Sequence, residues 1–180
     1  MKIYISVDFE GICGTTHWDD VTSGTGDYPE FQKQMTAEVV GACQGAIKSG
    51  ASEIVIRDAH DSARNIIAGE LPRNSRLIRG WSNHPYLMMQ GLDATFDAAV
   101  MIGYHSFAGG AGNPLSHTMS TKVSQITING QKTSEFLINC YTALYEKVPV
   151  VFISGDQQVC EHAAAIIPGI NTAVVKSGQG

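Results

Sequence analysis

Asp8 and Glu10 close the apolar run Ile3-Tyr4-Ile5-Ser6-Val7, and the flexible stretch Gly11-Ile12-Cys13-Gly14 follows at once. Carboxylates at the mouth of a buried strand need a cation or hydrogen-bond donors in place of their lost hydration water. The chain supplies more oxygen and nitrogen ligands in similar positions: Asp58-Ala59-His60-Asp61 follows a second apolar run, and Tyr104-His105 a third. Residues two apart point the same way while extended, so Asp8 with Glu10, and Asp58 with His60, can each address one side of a common pocket. A mixed set of carboxylates and imidazoles suits zinc or another divalent first-row metal.

Each residue also has a plainer reading. An Asp at a strand end serves as a turn residue or helix cap, and a lone His such as His60 or His105 is commonly a hydrogen-bonded structural residue. Glu135 falls in the first turn of an expected helix, where a carboxylate complements the macrodipole by about 0.3–1 kcal/mol. His117, in Leu115-Ser116-His117-Thr118-Met119-Ser120, follows a Gly-rich stretch from Phe107 to Pro114 that reads as a loop able to close over a substrate. An exposed loop histidine explains it as well. His84 and His162 read as structural or surface residues, and His17 stays open. The argument for a metal lies in recurrence, since acid, acid, His and His stand at separate strand ends.

The elements that must position these groups alternate. Strand patterns cover 2–7, 53–57, 98–103, 148–154 and 172–176, with helical patterning between several of them. That order predicts an α/β fold: a mainly parallel central sheet flanked by helices, with ligands meeting beyond the carboxyl ends of its strands. A first helix is expected from about Pro29 to Ser49, stopped by Gly50. Asn129-Gly130 marks a hairpin or tight turn. A helix from Thr133 or Ser134 should carry Phe136, Leu137, Tyr141 and Leu144 inward, and Asp156 should cap another that Pro168-Gly169 ends.

With 180 residues, 43% of them hydrophobic and 16% charged, the chain has material for one well-buried core, and residues 1–180 read as a single domain. A formal charge of -5 without a basic stripe argues against nucleic-acid binding. With no signal-peptide pattern and no apolar run of membrane-spanning length, a soluble cytoplasmic protein that binds no membrane is expected. The four cysteines form no CxxC pair, so neither a thiolate zinc site nor a disulfide framework is indicated. Cys13 reads as a small loop residue.

Taken together, Ser6-Val7-Asp8-Phe9-Glu10-Gly11, Asp58-Ala59-His60, Gly103-Tyr104-His105, Ser116-His117-Thr118-Met119 and Asn129-Gly130 to Glu135 resemble the D-aminopeptidases of peptidase family M55, the DppA type, in order and approximate spacing. The similarity continues through Val148-Pro149-Val150 and Gly155-Asp156 to Thr172-Ala173-Val174-Val175-Lys176. The resemblance implies two zinc ions per chain held by Asp8, Glu10, His60, His105 and Glu135, with His117 as a further catalytic residue, either an acid and base or a stabiliser of the intermediate. It promotes Glu135 from a helix-end charge to a ligand. A zinc pair about 3.5–4 Å apart lowers the pKa of a shared water toward ~7 and polarises the scissile carbonyl. Asp58 and Asp61 are expected to orient ligand histidines. The implied activity is removal of N-terminal D-amino acids such as D-Ala from short peptides. The implied assembly is a ring-like decamer, and the family pattern continues in a C-terminal segment beyond this sequence. Another metal-dependent amide or phosphoester hydrolase, or a catalytically silent metal-binding or assembly module, stands as the alternative.

Overall fold

Alternation along the first strand, β1 (Lys2–Val7), separates two cores. Ile3, Ile5 and Val7 face one side of the sheet, whereas Tyr4 and Ser6 face the other, as the two-residue side-chain period requires. The computed structural model describes residues 1–178. After β1 come α1 (Trp18–Val21), α2 (Tyr28–Lys48), β2 (Glu53–Asp58), β3 (Ser75–Ile78) and β4 (Ala98–Tyr104). They are followed by β5 (Thr127–Ile128), β6 (Gln131–Lys132), α3 (Glu135–Tyr145), β7 (Val150–Asp156), α4 (Gln157–Ile166) and β8 (Asn171–Lys176).

Six strands form one parallel sheet in the order β3-β2-β1-β4-β7-β8. The expected mainly parallel sheet flanked by helices is therefore observed. On one face, Met35, Val39 and Cys43 of α2 pack against Ile3, Ile5, Val7, Ile54 and Ile56. The opposite face packs Tyr4, Val55, Ala99 and Met101 against Phe136 and Ala143 of α3 and Val159 and Ala163 of α4. Because every strand of this sheet runs the same way, the loops after β1, β2, β4 and β7 emerge at one edge.

The remaining expectations fared unevenly. Asn129-Gly130 joins β5 to β6, both residues at positive φ (54° and 80°), as a tight hairpin of the primed kind demands. Asp156 caps α4 by accepting from the Val159 N–H at 2.9 Å, and Pro168-Gly169 lies just beyond its end. On α3, Phe136 and Leu137 are buried as expected, but Tyr141 and Leu144 are exposed, and the inward stripe continues through Asn139, Cys140 and Ala143. The expected register was one residue out of phase at its second turn. Both α1 and β3 went unforeseen, being four-residue elements too short to show a period. Within the Gly-rich segment after Phe107, Gly112 and Asn113 are buried, and a Cβ at Gly112 would lie 2.4 Å from the Gln158 Cβ, whereas Gly109, Ala111 and Pro114 are exposed. All four cysteines are free thiols, and only Cys13 is exposed. Among the described residues no helix is long and apolar enough to cross a membrane.

Candidate metal centre

Five of the six candidate residues are buried at the carboxyl edge of the sheet: Asp8, Glu10, His60, His105 and Glu135. Asp8 and Glu10 follow β1, His60 follows β2, His105 follows β4, and Glu135 opens α3. His117 comes from the loop between β4 and β5 and is partly buried beside them. The chain thus brings all six together from five separate segments.

The three imidazoles are oriented alike. His60 Nε2 donates to the Val21 carbonyl at 2.9 Å, His105 Nδ1 to the Ser106 carbonyl at 2.9 Å, and His117 Nδ1 to the Leu115 carbonyl at 2.9 Å. A carbonyl can only accept, so each of those nitrogens carries the proton and the other nitrogen is turned inward. The inward nitrogens meet carboxylates. His60 Nδ1 lies 3.0 Å from Glu10 Oε2 and 3.5 Å from Asp8 Oδ1; His105 Nε2 lies 3.4 Å from Asp8 Oδ2 and 3.6 Å from Glu135 Oε1. His117 Nε2 is 3.4 Å from Glu135 Oε1 and 3.9 Å from Glu10 Oε1.

A nitrogen lone pair facing a carboxylate needs a proton or a metal cation between them. Asp8 Oδ2 and His105 Nε2 are both buried without a hydrogen-bond partner, and such orphans are rare unless something else binds them. Two ligands on one tetrahedral zinc, each about 2.0–2.2 Å from the ion, stand about 3.3–3.6 Å apart. Most of the observed separations fall in that range and are longer than a good hydrogen bond. Ligand atoms of Asp8, Glu10 and His60 form one compact triad, and those of Asp8, His105 and Glu135 a second. Asp8 belongs to both, presenting Oδ1 toward His60 and Oδ2 toward His105. A third grouping, Glu10 with His105 and His117, is also compact. The residues present therefore fit a pair of divalent ions sharing Asp8.

Protonation follows from the crowding. Burial pushes the Asp8 carboxyl up to about 8, reinforced by Glu10 and Glu135. Burial also works upward on Glu10 and Glu135, but His60 and His105 respectively override it and hold both carboxyls below their usual range. For the imidazoles, burial opposes the charge, yet Glu10 and Asp8 raise His60 well above its usual value and Glu135 takes His105 up to about 10. Without metal, the five groups settle as one neutral acid, two carboxylates and two imidazoliums, a neutral cluster held by protons.

A buried scaffold fixes this arrangement. The Glu10 carbonyl accepts from Asn113 Nδ2 at 2.8 Å, from Thr15 Oγ1 at 3.0 Å and from the Lys176 ammonium at the end of β8. Asp156 accepts from Ser106 N at 2.7 Å and Ser106 Oγ at 2.6 Å, locking the peptide next to His105. Asp58 does not touch a ligand imidazole. It accepts from Asn65 N (2.5 Å), Asn65 Nδ2 (2.9 Å) and Ile66 N (2.8 Å), and Asn65 Nδ2 in turn donates to the His60 carbonyl at 2.8 Å. Asp61 supplies its carbonyl to Trp81 Nε1 at 2.6 Å. The expectation that both acids orient ligand rings is corrected accordingly: backbone carbonyls hold the rings, and Asp58 holds the backbone. His17 caps α1 through Nδ1, accepting from Asp19 N at 3.2 Å. Lys176, Asn113, Asn65 and the Val21 carbonyl were not foreseen. His17 and Asp20 form a helix capping box at α1, but His-x-x-Asp is not the Ser/Thr-x-x-Glu/Gln pattern that marks such a box in a sequence.

Comparisons with known proteins place the chain in a family. A family model for the M55 peptidases, described as D-aminopeptidase, matches residues 1–180. The D-aminopeptidase of Bacillus subtilis (strain 168) is 36% identical over 176 residues, covering 98% of this chain and 64% of the relative. The solved structure of the Zn-dependent D-aminopeptidase DppA from Bacillus subtilis, a self-compartmentalizing protease, superposes with a TM-score of 0.94 at 34% identity. That match covers 99% of this chain and 65% of the other, so the chain spans a little under two thirds of the length of both. By fold, by sequence along its whole length and by the family model, the chain belongs to the M55 family of D-aminopeptidases.

Proposed function

We propose that this chain carries the centre of a binuclear zinc aminopeptidase that removes N-terminal D-amino acids, such as D-Ala, from short peptides. Asp8, Glu10 and His60 would hold one ion and Asp8, His105 and Glu135 the other. The observation that carries this reading is the inward turn of the His60 and His105 lone pairs onto carboxylates at zinc-like separations, with Asp8 shared. The zinc dependence of the structural neighbour supports the metal, and the family supports the reaction.

When bound, the zinc pair supplies Lewis acidity toward the scissile carbonyl and a water acidified toward neutrality. The protein's own groups do the rest. His117, with Nδ1–H committed to the Leu115 carbonyl, keeps Nε2 for proton exchange: it takes the proton of the attacking water and returns it to the departing amine as the C–N bond breaks. We further propose that the chain is a single domain over residues 1–180, works in the cytoplasm and self-associates, as the ring-like decamer implied by the family resemblance. The neighbour's description as a self-compartmentalizing protease supports the assembly.

The test combines metal counting with peptide stereochemistry. Purified protein reconstituted with zinc is expected to hold two ions per chain and to cleave D-Ala-D-Ala but not L-Ala-L-Ala. Cleavage of the L-peptide alone overturns the stereochemical assignment, and failure to retain any metal overturns the centre itself. Because the chain spans 64% of its curated relative, metal uptake without hydrolysis, both by this chain and by a version extended to the relative's length, is the signature of the silent metal-binding module. Turnover of phosphoesters instead of peptides marks a different metal-dependent hydrolase.

A further inference from the structure

Both tryptophans of the chain stand on the walls of one cleft of about 380 Å³, the cleft whose floor is the acidic cluster. Trp18 is 39% exposed and Trp81 42%, with Met119 at 41% beside them. Three large, partly exposed apolar side chains around one opening mark a binding surface rather than random surface composition. We propose that Trp18 and Trp81 form a subsite for an apolar side chain on the peptide residue that follows the scissile bond, and that Arg57 is the positioning residue for Trp81. The proposal rests on the peptidase reading above.

The layout of the cleft assigns the subsite to that residue. With the amine and the scissile carbonyl of a substrate held at the buried floor, the rest of the peptide has to leave past the exposed walls. There it meets the indoles of Trp18 and Trp81 and the Met119 side chain, with the exposed Asp61 beside them. These walls are also held still before any ligand arrives, which lowers the ordering cost of binding. Trp81 Nε1 donates to the Asp61 carbonyl at 2.6 Å. The Arg57 guanidinium lies 4.2 Å from the indole centroid. Arg57 is fully buried, donates Nη1 to the Gly80 carbonyl at 2.6 Å, and has no partner for Nε or Nη2 among the described residues. A buried cation this short of acceptors leans on the face of the indole, and so pins it. Trp18 meets His117 edge-on, with centroids 5.6 Å apart.

The experiment uses zinc-loaded protein and two dipeptide analogues that cannot be hydrolysed, D-Ala-D-Phe and D-Ala-D-Gln with CH2–NH in place of the peptide bond. Neither second side chain is charged, so the acidic floor does not bias the comparison. Calorimetry is expected to show the Phe analogue binding about tenfold tighter, the scale of an aromatic contact added to simple burial. In Trp18→Phe protein, where Trp81 is the sole indole, the Phe analogue should also shift the emission. Trp81→Ala should remove most of the preference while leaving zinc content unchanged. Arg57→Leu should lower both the preference and the emission anisotropy of Trp81, and Arg57→Lys should restore part of each. Equal binding of the two analogues, or a preference that survives Trp81→Ala, overturns the subsite. Unchanged anisotropy and preference in Arg57→Leu overturn the positioning role. If neither analogue binds while zinc is present, the peptidase reading falls with the subsite, an outcome distinct from equal binding of both.

Discussion

His105 and His117 lie face to face, their ring centroids 4.4 Å apart and their planes within 15° of parallel. Each spends Nδ1 on a backbone carbonyl, so each offers Nε2 to the cluster. Their surroundings divide the work. His105 Nε2 is wholly buried between Asp8 and Glu135, whereas His117 retains some exposure at the cleft wall.

That division makes His117 separable from the metal. His117→Ala is expected to keep two zinc ions per chain while peptide turnover falls about 10²–10⁴-fold, the usual cost of losing a general acid–base group. His105→Ala should lose one ion. Elemental analysis beside a rate measurement decides the matter, because Glu10, His105 and His117 also form a compact group. Loss of zinc in His117→Ala would make it a ligand.

Zinc uptake should expel protons. At pH 7 the raised values of Asp8, His60 and His105 leave each of them protonated in the metal-free protein, and ligation requires all three to deprotonate. About three protons should therefore leave per pair of ions, measurable by calorimetry in buffers of different ionisation enthalpy. The sign for stability follows from the same values. A group whose folded pKa lies above its unfolded one contributes fully below the unfolded value and loses that contribution as pH climbs through the folded one. Asp8 loses its share between its usual carboxylate range and about 8, and His105 between the usual histidine range and about 10. Glu10 and Glu135, held low, matter only on further acidification. Metal-free protein should thus melt lower at pH 8 than at pH 6, while the stabilisation produced by added zinc grows over the same interval. A metal-free protein that gains stability from pH 6 to pH 8 would contradict the proton-held cluster.

Much of this centre was legible because a parallel sheet converts sequence order into position. Asp8, Glu10, His60 and His105 all end strand-like runs, and parallel strands deliver their ends to one edge. Glu135 was different: a helix-opening glutamate looks the same whether it complements a dipole or ligates a metal, and only the family resemblance set it apart. Tyr141 and Leu144 misled because apolar character alone does not fix helical phase, and the stripe that packs includes Asn139, whose amide donates to the Tyr104 hydroxyl at 2.8 Å. Arg57 and Trp81 lie 24 residues apart and meet only through the path of β3, which had too short a pattern to be seen.

Asp156 supports the centre from below. Its carboxylate accepts from Ser106 N, Ser106 Oγ, Asn113 Nδ2 and Val159 N, and the group is fully buried. Asp156→Ala removes an N-cap and strands several buried donors, at about 2–4 kcal/mol when a cap and an unsatisfied group are combined. Denaturant unfolding should show that loss. Zinc affinity should fall as well, because Ser106 carries the peptide next to His105. Asp156→Asn, which keeps one acceptor oxygen, should lie between. A variant as stable as the parent would mean that water replaces the carboxylate without cost.

The approach of β1 to β4 at the sheet edge depends on two glycines. Gly11 donates its N–H to the Gly103 carbonyl at 2.8 Å, and a Cβ on Gly11 would lie 1.8 Å from the Tyr104 carbonyl oxygen. Gly103 has φ +71°, and a Cβ there would lie 2.4 Å from the Asp8 carbonyl oxygen. The obstacles are backbone atoms, which cannot rotate aside, and they belong to the peptides that carry Asp8 and His105. Gly11→Ala must push the two strand ends apart, so it should cost at least the roughly 1–3 kcal/mol of an overpacked site. It should also weaken the triad of Asp8, His105 and Glu135, which spans the gap, more than the triad of Asp8, Glu10 and His60. Gly26→Ala provides the control, since a Cβ there meets nothing within 4 Å and its φ is not in the left-handed region. That variant should stay within about 0.5 kcal/mol of the parent. Thermal melting with stepwise zinc titration distinguishes them: Gly11→Ala should melt lower and retain one tightly bound ion, and equal behaviour of the two variants would show that the strand ends tolerate separation.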